Sequence, residues 1–136
     1  MTTKPETRFW KRIKDKFTKV TLTRIEAVTP LGLPDILAVY KVTDEQRGQF
    51  WIELKVTRGN SIGLSPAQIS WHMSHNTNGG CSFIMATPLG RGGISIYSGS
   101  CALRLAKEGL SLEPCALFPE PCDFSKLETW LIDHVT

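Results

Sequence analysis

Two stretches rich in strand formers, 49–56 (QFWIELKV) and 82–86 (SFIMA), stand on either side of Ser65-Pro66-Ala67-Gln68. The tetrapeptide is a helix start: Ser caps, Pro suits the first helical position, and Gln three residues after Ser completes a capping box. The helix it opens carries Ile69, Trp71, His72 and His75 and stops near Asn78-Gly79-Gly80. A helix placed between two apolar strands is a crossover, so the chain builds a sheet with helices packed against it.

The rest of the chain fits that frame. Phe9, Ile13 and Phe17 recur at helical spacing after Thr3-Lys4-Pro5-Glu6, which predicts a first helix over about 5–17 with Thr3 as its cap. The β-branched run 20–28 and the short apolar run 36–40 read as strands, and the polar 42–48 reads as a hairpin loop before 49–56. Strands are expected at 82–86 and 94–97, a short helix at 102–107, an irregular proline-rich stretch at 111–123, and a last amphipathic helix at 125–135. The expected order is α-β-β-β-α-β-β plus a C-terminal helix: an α/β fold with a mixed β-sheet of about five strands flanked by helices. At 136 residues, 41% hydrophobic and 21% charged, this is the composition of one globular domain.

Targeting and charge add less. No apolar run approaches the ~20 residues of a membrane span, and the basic N-terminus has no secretory core, so a cytoplasmic protein is expected. Cys81, Cys101, Cys115 and Cys122 show no C-x-x-C spacing and read as reduced thiols. The net charge is only +3, but basic residues crowd the first 24 positions and acidic ones the C-terminal end. Such an uneven distribution suits a polyanion near the N-terminal half. Arg8, Lys11, Arg12, Arg24 and Arg58 are the candidates to touch it.

Asp35 stands at the mouth of the apolar run 36–40, in Gly32-Leu33-Pro34-Asp35. If 36–40 and 49–56 form an antiparallel hairpin, opposed residues have a constant number sum, about 88–90 for a loop centred near 44–45. An even sum puts Asp35, Glu53 and Lys55 on one face at one end of the hairpin. Two carboxylates held together repel unless a proton or cation lies between them. Hard oxygen donors of this kind suit Mg²⁺ or Mn²⁺, and a lysine beside them can serve an attacking water or a phosphate. Taken alone, Glu53-Leu54-Lys55 also suits an ordinary half-exposed strand.

Gly32-x-Pro34-Asp35 followed by Glu53-Leu54-Lys55 and Gln68 resembles the PD-(D/E)XK nuclease signature, with VRR-NUC domains, archaeal-type Holliday-junction resolvases and small phage nucleases as its nearest likeness. The resemblance covers about 5–97 of a single domain 1–136 and leaves 98–136 as an extension without a role. It implies a restriction-endonuclease-like core and a Mg²⁺- or Mn²⁺-dependent DNA endonuclease acting on branched DNA, as a homodimer in the cytoplasm (the host's, if phage-encoded). Asp35, Glu53 and the Leu54 carbonyl are the implied metal ligands. Lys55 is the implied water-positioning residue, and Gln68 organises the site. For the remaining acidic position the likeness offers Glu6 on the first helix, which is preferred, or Glu26 in Arg24-Ile25-Glu26. The competing readings are a non-catalytic DNA- or protein-binding module on the same fold, and a flap or single-strand nuclease. His72 and His75 are expected at the surface, where they could meet phosphate. Trp10, Trp51, Trp71 and Trp130 are expected in or beside the core.

Overall fold

The computed structural model describes residues 4–25, 31–90 and 92–135. Glu26, the alternative acidic candidate, and Thr3, the expected cap, lie outside the described residues. The elements are α1 (Pro5–Ile13), β1 (Val20–Arg24), β2 (Ile36–Lys41), β3 (Arg47–Thr57), α2 (Pro66–Thr77), β4 (Ser82–Pro88), β5 (Ile94–Ser98), α3 (Ala102–Glu108), β6 (Ala116–Phe118) and α4 (Phe124–Asp133). The strands form one sheet in chain order, β1 to β6. All neighbours are antiparallel except β3 and β4, which run parallel because α2 carries the chain back across the sheet. This is a mixed α/β arrangement, a mostly antiparallel sheet flanked by helices. Among the described residues, no helix is long and apolar enough to cross a membrane.

Three local expectations are corrected. The sheet has six strands, because Ala116–Phe118 pairs with β5 inside the stretch expected to be irregular. α1 ends at Ile13, and Lys4 occupies its N-cap position without a side-chain capping bond. Phe17 still packs against the core, from the segment that follows the helix. α4 starts one residue sooner than expected, because the Asp123 side chain accepts from the Lys126 N–H and caps it.

Alternation along the strands gives the sheet two apolar faces. Ile36, Ala38, Phe50, Ile52, Leu54, Phe83, Met85, Ile94 and Ile96 join Phe9 and Ile13 of α1 and Leu127 and Leu131 of α4 in the larger core. Ile84, Ala86 and Tyr97 point the other way and pack with Ala102 and Leu105 of α3, and with Ile69 and Met73 of α2. The residues after 98, left without a role by sequence, therefore supply core to both faces. α4 is also tied by charge. Glu128 is 3% exposed, and its Oε2 accepts from the backbone N–H groups of Lys19 (2.8 Å) and Val20 (3.0 Å). The Thr18 hydroxyl donates to its Oε1 at 3.3 Å.

Candidate active site

The β2–β3 register decides where the carboxylates meet. Ile36 pairs with Ile52 and Lys41 with Arg47, a constant sum of 88. Carried one residue further, that register sets Asp35 opposite Glu53, with Lys55 one pleat along on the same face. This is the face that α2 covers. The even register on which the sequence construction depends is the one the hairpin adopts.

Pro34 and Asp35 divide the work at the end of β2. In an antiparallel ladder a residue directs its N–H and C=O to the same neighbour. Leu54 aims its N–H at the β2 side, where Asp35 Oδ2 accepts it at 2.7 Å. Its carbonyl faces the same side. The residue that the register brings opposite Leu54 is Pro34, which has no N–H to donate. Proline thus leaves the Leu54 carbonyl unclaimed by β2, and aspartate takes the N–H that proline does not serve. Gly32 sets the approach: its φ is +77°, and a side chain there would overlap the Ala67 carbonyl at the start of α2.

Gln68 links the two strand residues. Its backbone N–H donates to Ser65 Oγ at 3.1 Å, and its Oε1 accepts from the Ser65 N–H at 3.0 Å, so the capping box is formed. The same Oε1 accepts from Lys55 Nζ at 3.1 Å, while Gln68 Nε2 donates to Glu53 Oε2 at 3.3 Å. Lys55 Nζ also donates to the Gly63 carbonyl at 2.8 Å and stands 4.0 Å from Glu53 Oε2. One residue therefore caps the helix and fastens the site. Two substitutions separate these roles: Ser65→Ala is expected to cost about 1 kcal/mol of stability and to leave the Gln68 contacts with Lys55 and Glu53 in place. Gln68→Ala is expected to cost more, because it removes the capping bond and both of those contacts, as thermal unfolding of the two variants would show.

The carboxyls are strained electrostatically. Glu53 is 2% exposed. Burial pushes Asp35 up to about 7, and the neighbouring Glu53 adds to the shift by its charge and by accepting a hydrogen bond from the protonated Asp35 carboxyl; the Leu54 N–H and Lys55 pull it back. Glu53 is also raised, by burial first, with a hydrogen bond from the Asp35 carboxyl and the Lys55 charge opposing and the Glu6 charge adding to the rise. Glu6 on α1 thus lies near enough for its charge to be felt at Glu53.

His72 departs from expectation: it is fully buried, one turn beyond Gln68. Burial and then Lys55 push its pKa down to about 4, against a smaller opposing effect of Asp35, so the ring is neutral at physiological pH. His75 stacks on Trp71 at 4.4 Å, away from this cluster. The sequence does carry a signal for the buried ring: Gln68, His72 and Asn76 are spaced i, i+4, i+8, a polar stripe on one face of α2.

The basic candidates are dispersed. Arg8 and Lys11 lie on exposed positions of α1, and Arg58 is exposed just after β3. Arg8 and Arg12 line a cleft with Val56, Thr87 and Leu89. Arg24 Nη2 donates to Thr7 Oγ1 at 3.1 Å, tying β1 to α1.

As a donor set the cluster fits a divalent cation. It offers two crowded carboxylates and a backbone carbonyl without a β2 donor, all hard oxygens. Among the described residues, no three His, Cys, Asp or Glu side chains form a complete metal site.

No protein-family model matches this chain. No curated protein matches it either. Among solved structures it is similar to Hjc, a Holliday junction resolvase from the archaeal hyperthermophile Archaeoglobus fulgidus. The TM-score is 0.47 and the identity 15%, over 69% of this chain and 74% of that one.

Proposed function

We propose that this chain is a divalent-cation-dependent endodeoxyribonuclease that hydrolyses phosphodiester bonds. The observation that carries the reading is the meeting of Asp35, Glu53, Lys55 and Gln68 at one end of the α2 face, with Lys55 held 4.0 Å from Glu53. Asp35, Glu53 and the Leu54 carbonyl are the residues to hold Mg²⁺ or Mn²⁺. When bound, the cation supplies charge neutralisation at the phosphate and a more acidic water.

The chain's own residues do the rest. Lys55 directs its ammonium at the attacking water or the phosphate oxygens, where charge grows in the transition state. Gln68 and the Gly63 carbonyl hold that ammonium in place and so limit the motion that would misalign it. Glu6, on α1, lends its negative charge near Glu53 without completing, among the described residues, a set of three carboxylate ligands. Arg8, Lys11, Arg12 and Arg58 meet the DNA backbone, and their contribution weakens with salt. Branched DNA is the proposed substrate, on the motif resemblance alone. Paired cuts in a junction call for a two-fold homodimer.

The test compares Mg²⁺-dependent cleavage of four-way junction, flap, single-stranded and linear duplex DNA by the wild type and Glu53→Ala. The expected result is preferential junction cleavage, lowered more than ~100-fold in the variant. Undiminished cleavage by Glu53→Ala overturns the site. DNA binding without calorimetric Mg²⁺ or Mn²⁺ binding replaces the enzyme with a binding module.

A further inference from the structure

Two buried polar atoms face each other with no hydrogen-bond partner: Glu53 Oε1 and His72 Nε2. They are 3.7 Å apart. That is too far for a hydrogen bond, and too near for a water between them, which needs roughly 4.5–5.5 Å. A movement of under about 1 Å closes the contact.

The other side of the ring determines what His72 offers. Its Nδ1 lies 2.7 Å from Ser82 Oγ, and Asn76 Nδ2 donates to the same oxygen at 2.7 Å. The Asn76 amide has one consistent orientation: Nδ2 also donates to the His72 carbonyl at 2.8 Å, and Oδ1 faces the Ser82 N–H at 3.4 Å. Ser82 is fully buried, and its hydroxyl has one proton to give. With Asn76 donating to it, the acceptor at hand for that proton is His72 Nδ1. The ring hydrogen then belongs on Nε2, aimed at Glu53. The opposite tautomer leaves the buried Ser82 hydroxyl without an acceptor, which is costly. Gly99 seals the relay: a Cβ there would overlap Ser82 Oγ and lie 2.6 Å from Asn76 Nδ2 and 3.0 Å from His72 Nδ1.

We infer that His72 is the positioning residue of Glu53: the Asn76–Ser82 relay keeps hydrogen on Nε2, and that N–H, on closing the 3.7 Å gap, holds Oε1 so that Oε2 stays turned toward Gln68 and Lys55. Its importance for cation binding rests on the nuclease reading; the tautomer does not. An outer partner that orients a ligating carboxylate typically changes metal affinity 10–100-fold when removed.

The test begins on the metal-free wild type near neutral pH, with long-range ¹H–¹⁵N correlation spectra of the histidine rings. The expected spectrum gives His72 a hydrogen on Nε2, and Ser82→Ala shifts it toward a tautomer mixture. A wild-type ring with hydrogen on Nδ1 overturns the inference, without recourse to any core variant. Mn²⁺ titration by calorimetry follows. His72→Gln places an amide N–H where Nε2 stood and is expected to bind within a few-fold of wild type. His72→Asn keeps a partner for Ser82 but cannot reach Glu53, and is expected to bind 10–100-fold more weakly. Equal affinity in the two variants overturns the positioning role. If the wild type binds no Mn²⁺ while Nε2 carries the hydrogen, the nuclease reading falls and the tautomer assignment is upheld.

Discussion

Asp35→Asn is expected to stabilise the cation-free chain above neutral pH while lowering cleavage more than ~100-fold. The sign follows from linkage. Asp35 has an ordinary pKa of 3.8 when unfolded and about 7 when folded. The folded state therefore prefers the protonated form, and stability is lost as pH rises from about 4 through 7. Near pH 8 the whole interval counts against the buried charge, a cost on the order of 2–4 kcal/mol. Asparagine removes the charge but keeps an oxygen to accept the Leu54 N–H. The melting temperature at about pH 8 in chelator should rise by roughly 8–15 °C, and the difference should vanish below about pH 4. Adding Mn²⁺ should raise the wild type toward the variant and leave the variant unmoved. An Asp35→Asn chain no more stable than wild type at high pH contradicts the electrostatic account.

Glu128→Ala is expected to be the most damaging change outside the site, at about 3 kcal/mol or more. Three donors converge on this 3% exposed carboxylate, two of them backbone N–H groups of Lys19 and Val20. Alanine leaves the buried Val20 N–H without an acceptor and takes the partner from the part-buried Lys19 N–H and Thr18 hydroxyl. Both backbone donors use the same oxygen, so Glu128→Gln retains them with its carbonyl and presents its amide to Thr18. It should cost no more than about 1 kcal/mol. Denaturant unfolding of the two variants checks the contrast. The side chain touches nothing in the site, so activity per folded molecule should stay near wild type in both.

How much of the molecule is legible in its sequence follows how local the physics is. The hairpin is legible because a short polar loop joins two runs of strand formers, but its even register is not: a loop centred near 44–45 leaves the sum open by a residue either way, and only the paired strands settle it at 88. The α2 start is legible because Ser65, Pro66 and Gln68 act within one turn. β6 is not, since three residues flanked by prolines carry no period, and their pairing with β5 is a tertiary event. Glu128 reads in sequence as a solvent-facing residue of an amphipathic helix, and only docking against the α1–β1 connection gives it partners. Pairing His72 with His75, three residues on, misplaces it at the surface; its bonded partner on α2 is Asn76, four residues on. Pro34 reads in sequence as one letter of a motif. The withheld N–H that gives it meaning becomes visible only when Leu54 lies across from it.

The clasp between α4 and the start of β1 has a bearing on synthesis. Every residue of the Asp35–Gln68 cluster has been translated by the middle of the chain. The helix that brings Glu6 stands on a core completed by Leu127 and Leu131, and the turn behind it is held by Glu128. A ribosome therefore makes the motif long before it makes the scaffold that aligns it. Prematurely terminated products carry Asp35, Glu53, Lys55 and Gln68 without α4, and so lack the part of the core on which α1 stands.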